Sequence, residues 1–417
     1  MCIGLFKKKG FNIVKDSKKA EIIVINTCGF IESAKQEAIN TILEMAELKK
    51  NGRCKYLIVM GCLVQRYKKE LEKSLPEVDI FLSIDEYKEI WIKICELIGI
   101  DKNVKSYNTL DYKDRIISTG NRTAYLKIAE GCSNNCTYCA IPYIRGKYIS
   151  RPIEEIIEEA IELKNKGIEE LIIIAQDTTK YGIDLYNEKK LPELLKKVAK
   201  IGFKWVRFLY AYPESITDEL IEVVKNTENI CNYFDIPIQH YSNFILKRMN
   251  RKSNSEQIEK LIEKIRLNIP DVILRTSLIV GFPGEKEEDF FELYEFVNKA
   301  KFEKLGVFKY SKEDGTPASR LNEQIHYKTK EKRFNSIMLL EKKISRLKLE
   351  EKIGNIYEVL IEGITINNQY YIGRSYMDIP NEDGVIFIPK KEKDLIGKFV
   401  KCKIVNIMEY DLVGEII

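Results

Sequence analysis

The sequence predicts an α/β protein in three parts. These are an N-terminal parallel-sheet α/β domain (1–118), a central partial (β/α)6 barrel with a trailing helix (119–350), and a small all-β barrel (351–417). Three observations predict this. Apolar runs of strand length alternate with amphipathic stretches, the pattern of parallel sheets with crossover helices. The strand–helix unit recurs six times in the middle of the chain. From Gly354 on, short β-like stretches are broken by Gly, Asn and Pro.

In the first part, Ile22–Ile25 and Tyr56–Met60 read as strands, each followed by a helical stretch, and Val78–Ile84 reads as a third. Residues 101–123 are polar and irregular, which places the first boundary near 118. The six central strands are 124–129, 170–175, 205–210, 233–237, 273–280 and 304–310, with amphipathic stretches such as 152–166, 216–227 and 255–268 between them. Six units fall short of the eight that close a barrel. Glu130, Gln176, Tyr210, Gln239, Gly281 and Tyr310 stand where these strands end, and the carboxyl ends of parallel strands carry the site. Residues 327–352 form a charged helix with Ile337, Leu340, Ile344 and Leu347 spaced for a packed face. The final β stretches, 356–362, 370–375, 385–388 and 399–407, suit a small barrel.

Composition narrows the chemistry. A chain of 417 residues exceeds a single core, and 45% hydrophobic with 31% charged residues excludes wholesale disorder. No apolar run reaches the roughly 18 residues that span a bilayer. Without a secretory signal, a cytoplasmic protein is expected, and its ten Cys should be thiols or metal ligands. Only His240 and His326 are available, so a His-rich metal centre is excluded. There is no HExxH pair, G-x-G-x-x-G or Walker run. The chemistry has to rest on cysteine.

The sharpest motif is Gly131-Cys132-Ser133-Asn134-Asn135-Cys136-Thr137-Tyr138-Cys139, a C-x3-C-x2-C triplet directly after a strand. Three thiolates on one loop can hold three irons of a [4Fe–4S] cluster and leave the fourth open to a ligand. The blander readings are a zinc knuckle, which normally needs a fourth ligand at a second paired spacing, and structural cysteines.

This triplet after the first strand of a partial barrel resembles the radical S-adenosylmethionine superfamily. The resemblance implies that Cys132, Cys136 and Cys139 hold the catalytic cluster, whose open iron chelates S-adenosylmethionine and yields a 5′-deoxyadenosyl radical. Ser277–Glu285 is similar to the motif against which the adenine lies, placing Gly281, Gly284 and Glu285 at the cofactor; on its own it is also a plain strand–turn–helix junction. Gln176, Asp177 and Thr178 stand where relatives hold the methionine amino group, although by themselves they read as a polar N-cap. His240 joins the cofactor-binding set. Cys28 and Cys62 each follow a strand of the first domain, so parallel pairing brings both to one edge as a second metal site or as two small buried side chains. Cys2, Cys54, Cys95, Cys231 and Cys402 are read as structural.

Along essentially its whole length the chain resembles the methylthiotransferases, which carry a C-terminal TRAM barrel. Asn26–Lys35, Ala140–Gly146 and Asp235–His240 are similar to the RimO-type branch. That branch adds a methylthio group to the β-carbon of an aspartate in a small-subunit ribosomal protein. The resemblance implies two [4Fe–4S] clusters, the auxiliary one on Cys28 and Cys62, and S-adenosylmethionine as both methyl donor and radical source. It also implies an electron donor such as flavodoxin or ferredoxin, and a monomer. Family members begin with a further strand and a Leu-Gly-Cys-Pro-like loop carrying a third auxiliary ligand, whereas this sequence opens at Met1-Cys2-Ile3-Gly4. A weakly bound auxiliary cluster and a first sheet short of one strand are therefore expected. Two other readings are a tRNA adenosine methylthiotransferase and a non-catalytic, metal-stabilised ribosome or RNA adaptor. Residues 353–417 carry seven Lys+Arg against ten Asp+Glu, which suits a basic protein partner better than RNA, or serves solubility alone.

Overall fold

The β-branched runs of the first part pair as their composition dictates. In the computed structural model, which describes residues 1–99, 112–120, 122–390 and 394–417, β1 (Ile22–Thr27), β2 (Tyr56–Gly61) and β3 (Ile80–Leu82) form a parallel sheet in that order. Helices α1 (Cys2–Lys8), α2 (Glu32–Asn51), α3 (Cys62–Ser74) and α4 (Ile90–Ile98) cover it. On β2, Leu57 and Val59 pack with Ala38, Ile42, Leu63 and Val64, while Ile58 and Met60 pack with Leu5, Phe6, Trp91 and Ile94. Alternate side chains thus feed two cores, as a sheet covered on both faces requires. Most of the polar 101–123 stretch lies outside the described residues.

The chain forms two compact units. The first comprises residues 1–116, 131–147 and 311–319, and so includes α5 (Ile141–Arg145) and the cysteine-triplet loop; the second holds 117–130, 148–310 and 320–417.

In the second unit, β4 (Thr123–Lys127), β7 (Glu170–Ile174) and β8 (Trp205–Phe208) form one parallel set, and β9 (Tyr233–Asp235), β10 (Ile273–Val280) and β11 (Lys304–Lys309) another. A Val206–Ile230 bridge and the Ala211 N–H donating to Asp235 O (2.8 Å) join the two sets, giving the six-stranded partial barrel expected. The two-residue strands β5 (Ala129–Glu130) and β6 (Ile149–Ser150) form a separate ribbon. The outer layer contains α6 (Ile153–Asn165), α7 (Ile183–Tyr186), α8 (Leu191–Ala199), α9 (Asp218–Asn226), α10 (Asn243–Arg248), α11 (Ser255–Asn268) and α12 (Glu287–Ala300). Leu171, Ile173, Val206, Phe208, Leu274 and Leu278 face these helices. Their neighbours Ile172, Trp205, Leu209, Tyr233 and Ile273 face inward, against Val359, Ile361, Tyr371 and Ile379 of the C-terminal module.

That module is a closed barrel of β12 (Ile356–Ile364), β13 (Tyr370–Arg374), β14 (Ile386–Pro389), β15 (Phe399–Ile407) and β16 (Leu412–Ile416), in the order β12-β13-β14-β16-β15. The closing strand β16 escapes sequence reasoning because Gly414 breaks its pattern. A Cβ there would sit 2.3 Å from Cys402 Sγ, so the glycine makes room for a buried cysteine. The long helix α13 (Tyr327–Glu350) buries Ile337, Leu340 and Ile344 as expected. Leu347 is corrected: it is 52% exposed, because the packed face continues through Glu341 and Ser345 instead.

Candidate active site

The triplet loop is fastened at its base. Gly131 has φ +75°, and a Cβ there would meet Lys147 O at 2.1 Å, so only glycine fits this entry. Cys132 N–H donates to Gly146 O (3.2 Å), and Cys139 N–H to Cys136 O (3.0 Å), turning the loop back on itself. Cys132 and Cys136 are buried and Cys139 half-buried. Burial pushes the Cys139 thiol up to about 12, and the charges of Cys136 and Cys132 add to the rise. Among the described residues no three His, Cys, Asp or Glu side chains form a ready metal cage. The fit to an iron–sulfur cluster therefore rests on the number and kind of donors on this one loop.

The same unit contains the other cysteine pair. Thr27 and Gly61 are register partners on parallel β1 and β2, so Cys28 and Cys62 each lie one residue beyond a paired position. The backbones there touch: a Cβ on Gly61 (φ +114°) would meet Thr27 O at 2.4 Å, and one on Gly29 would meet Leu63 Cα at 2.6 Å. Cys28 is exposed and Cys62 half-buried. Arg145, closing α5, donates through Nη2 to Cys62 Sγ at 3.2 Å. Arg66 holds the Cys28 loop by donating to Gly29 O (2.6 Å) and to Glu313 (2.9 Å), which also pairs with Lys35 (3.2 Å). Burial works against the Glu313 carboxylate, yet Ser311, Arg66 and Lys35 together hold it below the usual range. Arg66 carries no motif signal, and Lys35, although it closes the Asn26–Lys35 stretch, shows no sign of its pairing, since the shared partner lies over 200 residues away.

In the second unit the structure separates the predicted cofactor contacts. Asp177 and Thr178 are fully buried and committed to the fold. Asp177 Oδ1 accepts from Thr179 N–H (3.1 Å) and its hydroxyl (2.6 Å), while Thr178 Oγ1 donates to Leu209 O (2.8 Å). Gln176 is half-buried, and its Oε1 has no hydrogen-bond partner among the described residues. Gly281 (φ +71°) and Gly284 (φ +86°) make the turn after β10. Glu285 sits behind that turn, accepting from Phe282 N–H (2.9 Å) and from Arg333 of α13 (3.1 Å), and burial nevertheless raises its carboxyl to about 7. His240 has no exposed surface. Its Nδ1 accepts from Ser242 N–H (3.0 Å), and its Nε2 has no hydrogen-bond partner among the described residues, with Glu285 Oε2 at 4.0 Å. The contact is not an ion pair, because burial drives the imidazole down to about 3 and keeps it neutral at pH 7. Glu285 therefore braces the turn through Phe282 N–H, with the neutral His240 ring buried beside it.

Two non-glycine residues in left-handed backbone, Tyr210 (φ +60°) and Gln239 (φ +70°), lie just beyond β8 and β9. Such strain collects at functional sites. The sequence marked both positions as strand ends but carried no sign of their conformation.

The chain matches the Radical SAM superfamily over residues 126–297, the uncharacterized protein family UPF0004 over 1–83 and the TRAM domain over 353–417. It is 63% identical over 416 residues to "Ribosomal protein uS12 methylthiotransferase RimO" of Alkaliphilus oremlandii, covering 99% of this chain and 94% of that one. The chain belongs to the RimO methylthiotransferase family. Proteins of the same name from Acetivibrio thermocellus and Clostridioides difficile are each 50% identical, covering 100% of this chain and 94% of theirs. Among solved structures, the radical S-adenosylmethionine methyltransferase TsrM from Kitasatospora setae, with cobalamin and a [4Fe–4S] cluster bound, shares the fold. Its TM-score is 0.53 at 12% identity, covering 72% of this chain and 63% of that one. Membership makes this chain a radical S-adenosylmethionine enzyme, with a [4Fe–4S] cluster and S-adenosylmethionine as its cofactors. No helix among the described residues is long and apolar enough to cross a membrane.

Proposed function

We propose that this chain adds a methylthio group to the β-carbon of an aspartate in ribosomal protein uS12. The reading is carried by the end-to-end similarity to relatives named for that substrate. The acidic C-terminal module supports it, since ribosomal proteins are basic.

Cys132, Cys136 and Cys139 would hold the catalytic cluster, which supplies one-electron cleavage of S-adenosylmethionine when loaded. Gln176 offers an acceptor to the methionine amino group, and Asp177 and Thr178 hold its loop in place. The backbone of Gly281 and Gly284 would lie along the adenine, with Glu285 fixing the turn and His240 packed beside Glu285 at the cofactor end. Cys28 and Cys62 would hold the auxiliary cluster. Domains at 1–118, 119–350 and 351–417, a monomeric chain and a flavodoxin- or ferredoxin-like electron donor complete the proposal.

The test is anaerobic reconstitution followed by incubation with purified uS12 and, in parallel, bulk tRNA, with mass analysis of both. One methylthio group in place of a hydrogen on a uS12 aspartate supports the reading; modification of tRNA with uS12 untouched refutes it.

A further inference from the structure

The inner face of the partial barrel is filled from one end by the C-terminal module, and Arg275 marks where that filling stops. Its neighbour on the same face of β10, Ile273, is packed against the module, whereas Ser277 and Ile279, one and two pleats on, are only half-buried. Alongside them Tyr210 is 45% and Phe308 52% exposed, so this part of the inner face is uncovered within its unit. Arg275 is the cation at its floor.

Its three partners are unequal. Asp235 Oδ1 lies at 3.4 Å and Asp383 Oδ1 at 3.7 Å; both side chains are buried and otherwise engaged. Asp235 Oδ2 accepts from Tyr210 N–H, and Asp383 Oδ2 accepts from the Tyr233 hydroxyl and Ile379 N–H. The third, Glu382 Oε2 at 3.5 Å, belongs to a side chain that is 60% exposed and makes no second ion pair among the described residues. All three contacts are long, so the guanidinium lacks the close bidentate carboxylate its geometry suits. The neighbouring cation in register, Lys304, is already committed to Asp378 at 2.6 Å. Arg275 is the one of the two with an exchangeable partner.

We propose that Arg275 receives the side-chain carboxylate of the target aspartate, and that Glu382 of the C-terminal module holds that place until the substrate displaces it. A long contact to a carboxylate that is 60% exposed contributes little, so exchanging Glu382 for a close, two-point carboxylate costs little and favours Asp over Asn in the substrate. The inference rests on the proposed aspartate target and adds the residue that selects it.

The experiment measures equilibrium binding of uS12, and of uS12 with its modified aspartate changed to Asn, to the full reconstituted chain. The wild type should prefer the Asp form by about tenfold or more, the worth of a charge-assisted hydrogen bond. Arg275→Met should erase the preference. Glu382→Ala, on the surface and safe for folding, should tighten binding of the Asp form several-fold and leave the Asn form unchanged. A preference that survives in Arg275→Met, or equal effects of Glu382→Ala on both forms, overturns the inference while leaving the proposed function standing. Absence of any methylthio transfer to uS12 would instead mark failure of the function itself.

Discussion

Arg374, from β13 of the C-terminal module, is 1% exposed and donates to Glu170 of β7 (Nη2, 2.6 Å), to Glu362 (Nε 2.8 Å, Nη2 2.6 Å) and to Asp378 O (2.7 Å). Glu170 has no exposed surface; burial opposes its charge, and Arg207 and Arg374 hold its carboxylate below the usual range. Arg207 Nη2 is 2.8 Å from Glu170 Oε1 but not aligned as a hydrogen bond, so the directional bonds to Glu170 come from Arg374 and Thr123. Arg374→Met leaves Glu170 with a misaligned partner and Glu362 with none. Removing one member of a buried pair costs about 3–5 kcal/mol, a large share of a typical domain's 5–15. The loss falls on docking of the module, because Glu170 belongs to the central barrel and Arg374 to the C-terminal one. The chain supplies its own probe: its two tryptophans are Trp91 and Trp205, and Trp205 meets Phe399 of the module edge-on at 4.9 Å. In a Trp91→Phe background, denaturant titration followed by Trp205 fluorescence should show the module transition shifted by that amount. A shift below about 1 kcal/mol would show that the buried charges are not what joins the two parts.

Gly131→Ala should prevent the triplet loop from closing and lower iron content by about half or more, with loss of absorbance near 400 nm; unchanged iron would refute the steric argument. Cys136→Ala should abolish 5′-deoxyadenosine formation while the first sheet stays folded by circular dichroism, and normal production would remove it from the ligand set. His240 binds fewer protons folded than unfolded between about 3 and 6.5, so its contribution is present above pH 6.5 and is lost as pH falls. Relative to His240→Gln, the wild type should therefore lose about 2 kcal/mol between pH 7 and pH 5; parallel denaturation curves would contradict a buried neutral imidazole.

Features set by local periodicity were legible in the sequence. The six barrel strands, the triplet loop and the Cys28–Cys62 strand ends depend on neighbours within a few residues or on parallel pairing, both of which leave a pattern. Contacts between distant segments leave none. Glu170 and Arg374 are 204 residues apart, and neither belongs to a motif. Arg333 reads as one more charge on a solvated helix, yet it is 5% exposed and anchors the turn after β10. Asp177 and Thr178 are cofactor contacts by the resemblance and a polar N-cap by themselves; the structure shows the Asp177 cap on Thr179, and among the described residues Gln176 Oε1 has no hydrogen-bond partner.

Helix α13 has 24 residues, about 36 Å at 1.5 Å per residue. Near its start Lys330 donates to Tyr310 O (2.8 Å), and Arg333 grips Glu285 through both its backbone oxygen (3.0 Å) and its carboxylate (3.1 Å). Further along, Lys342 pairs with Glu409 of the C-terminal module at 2.7 Å. One stiff rod is thus bolted at one end to the turn after β10 and further along to the module. The two attachments are unequal, since the Arg333 contacts are buried whereas Lys342 and Glu409 are both more than half exposed, so the rod is fixed chiefly at the turn.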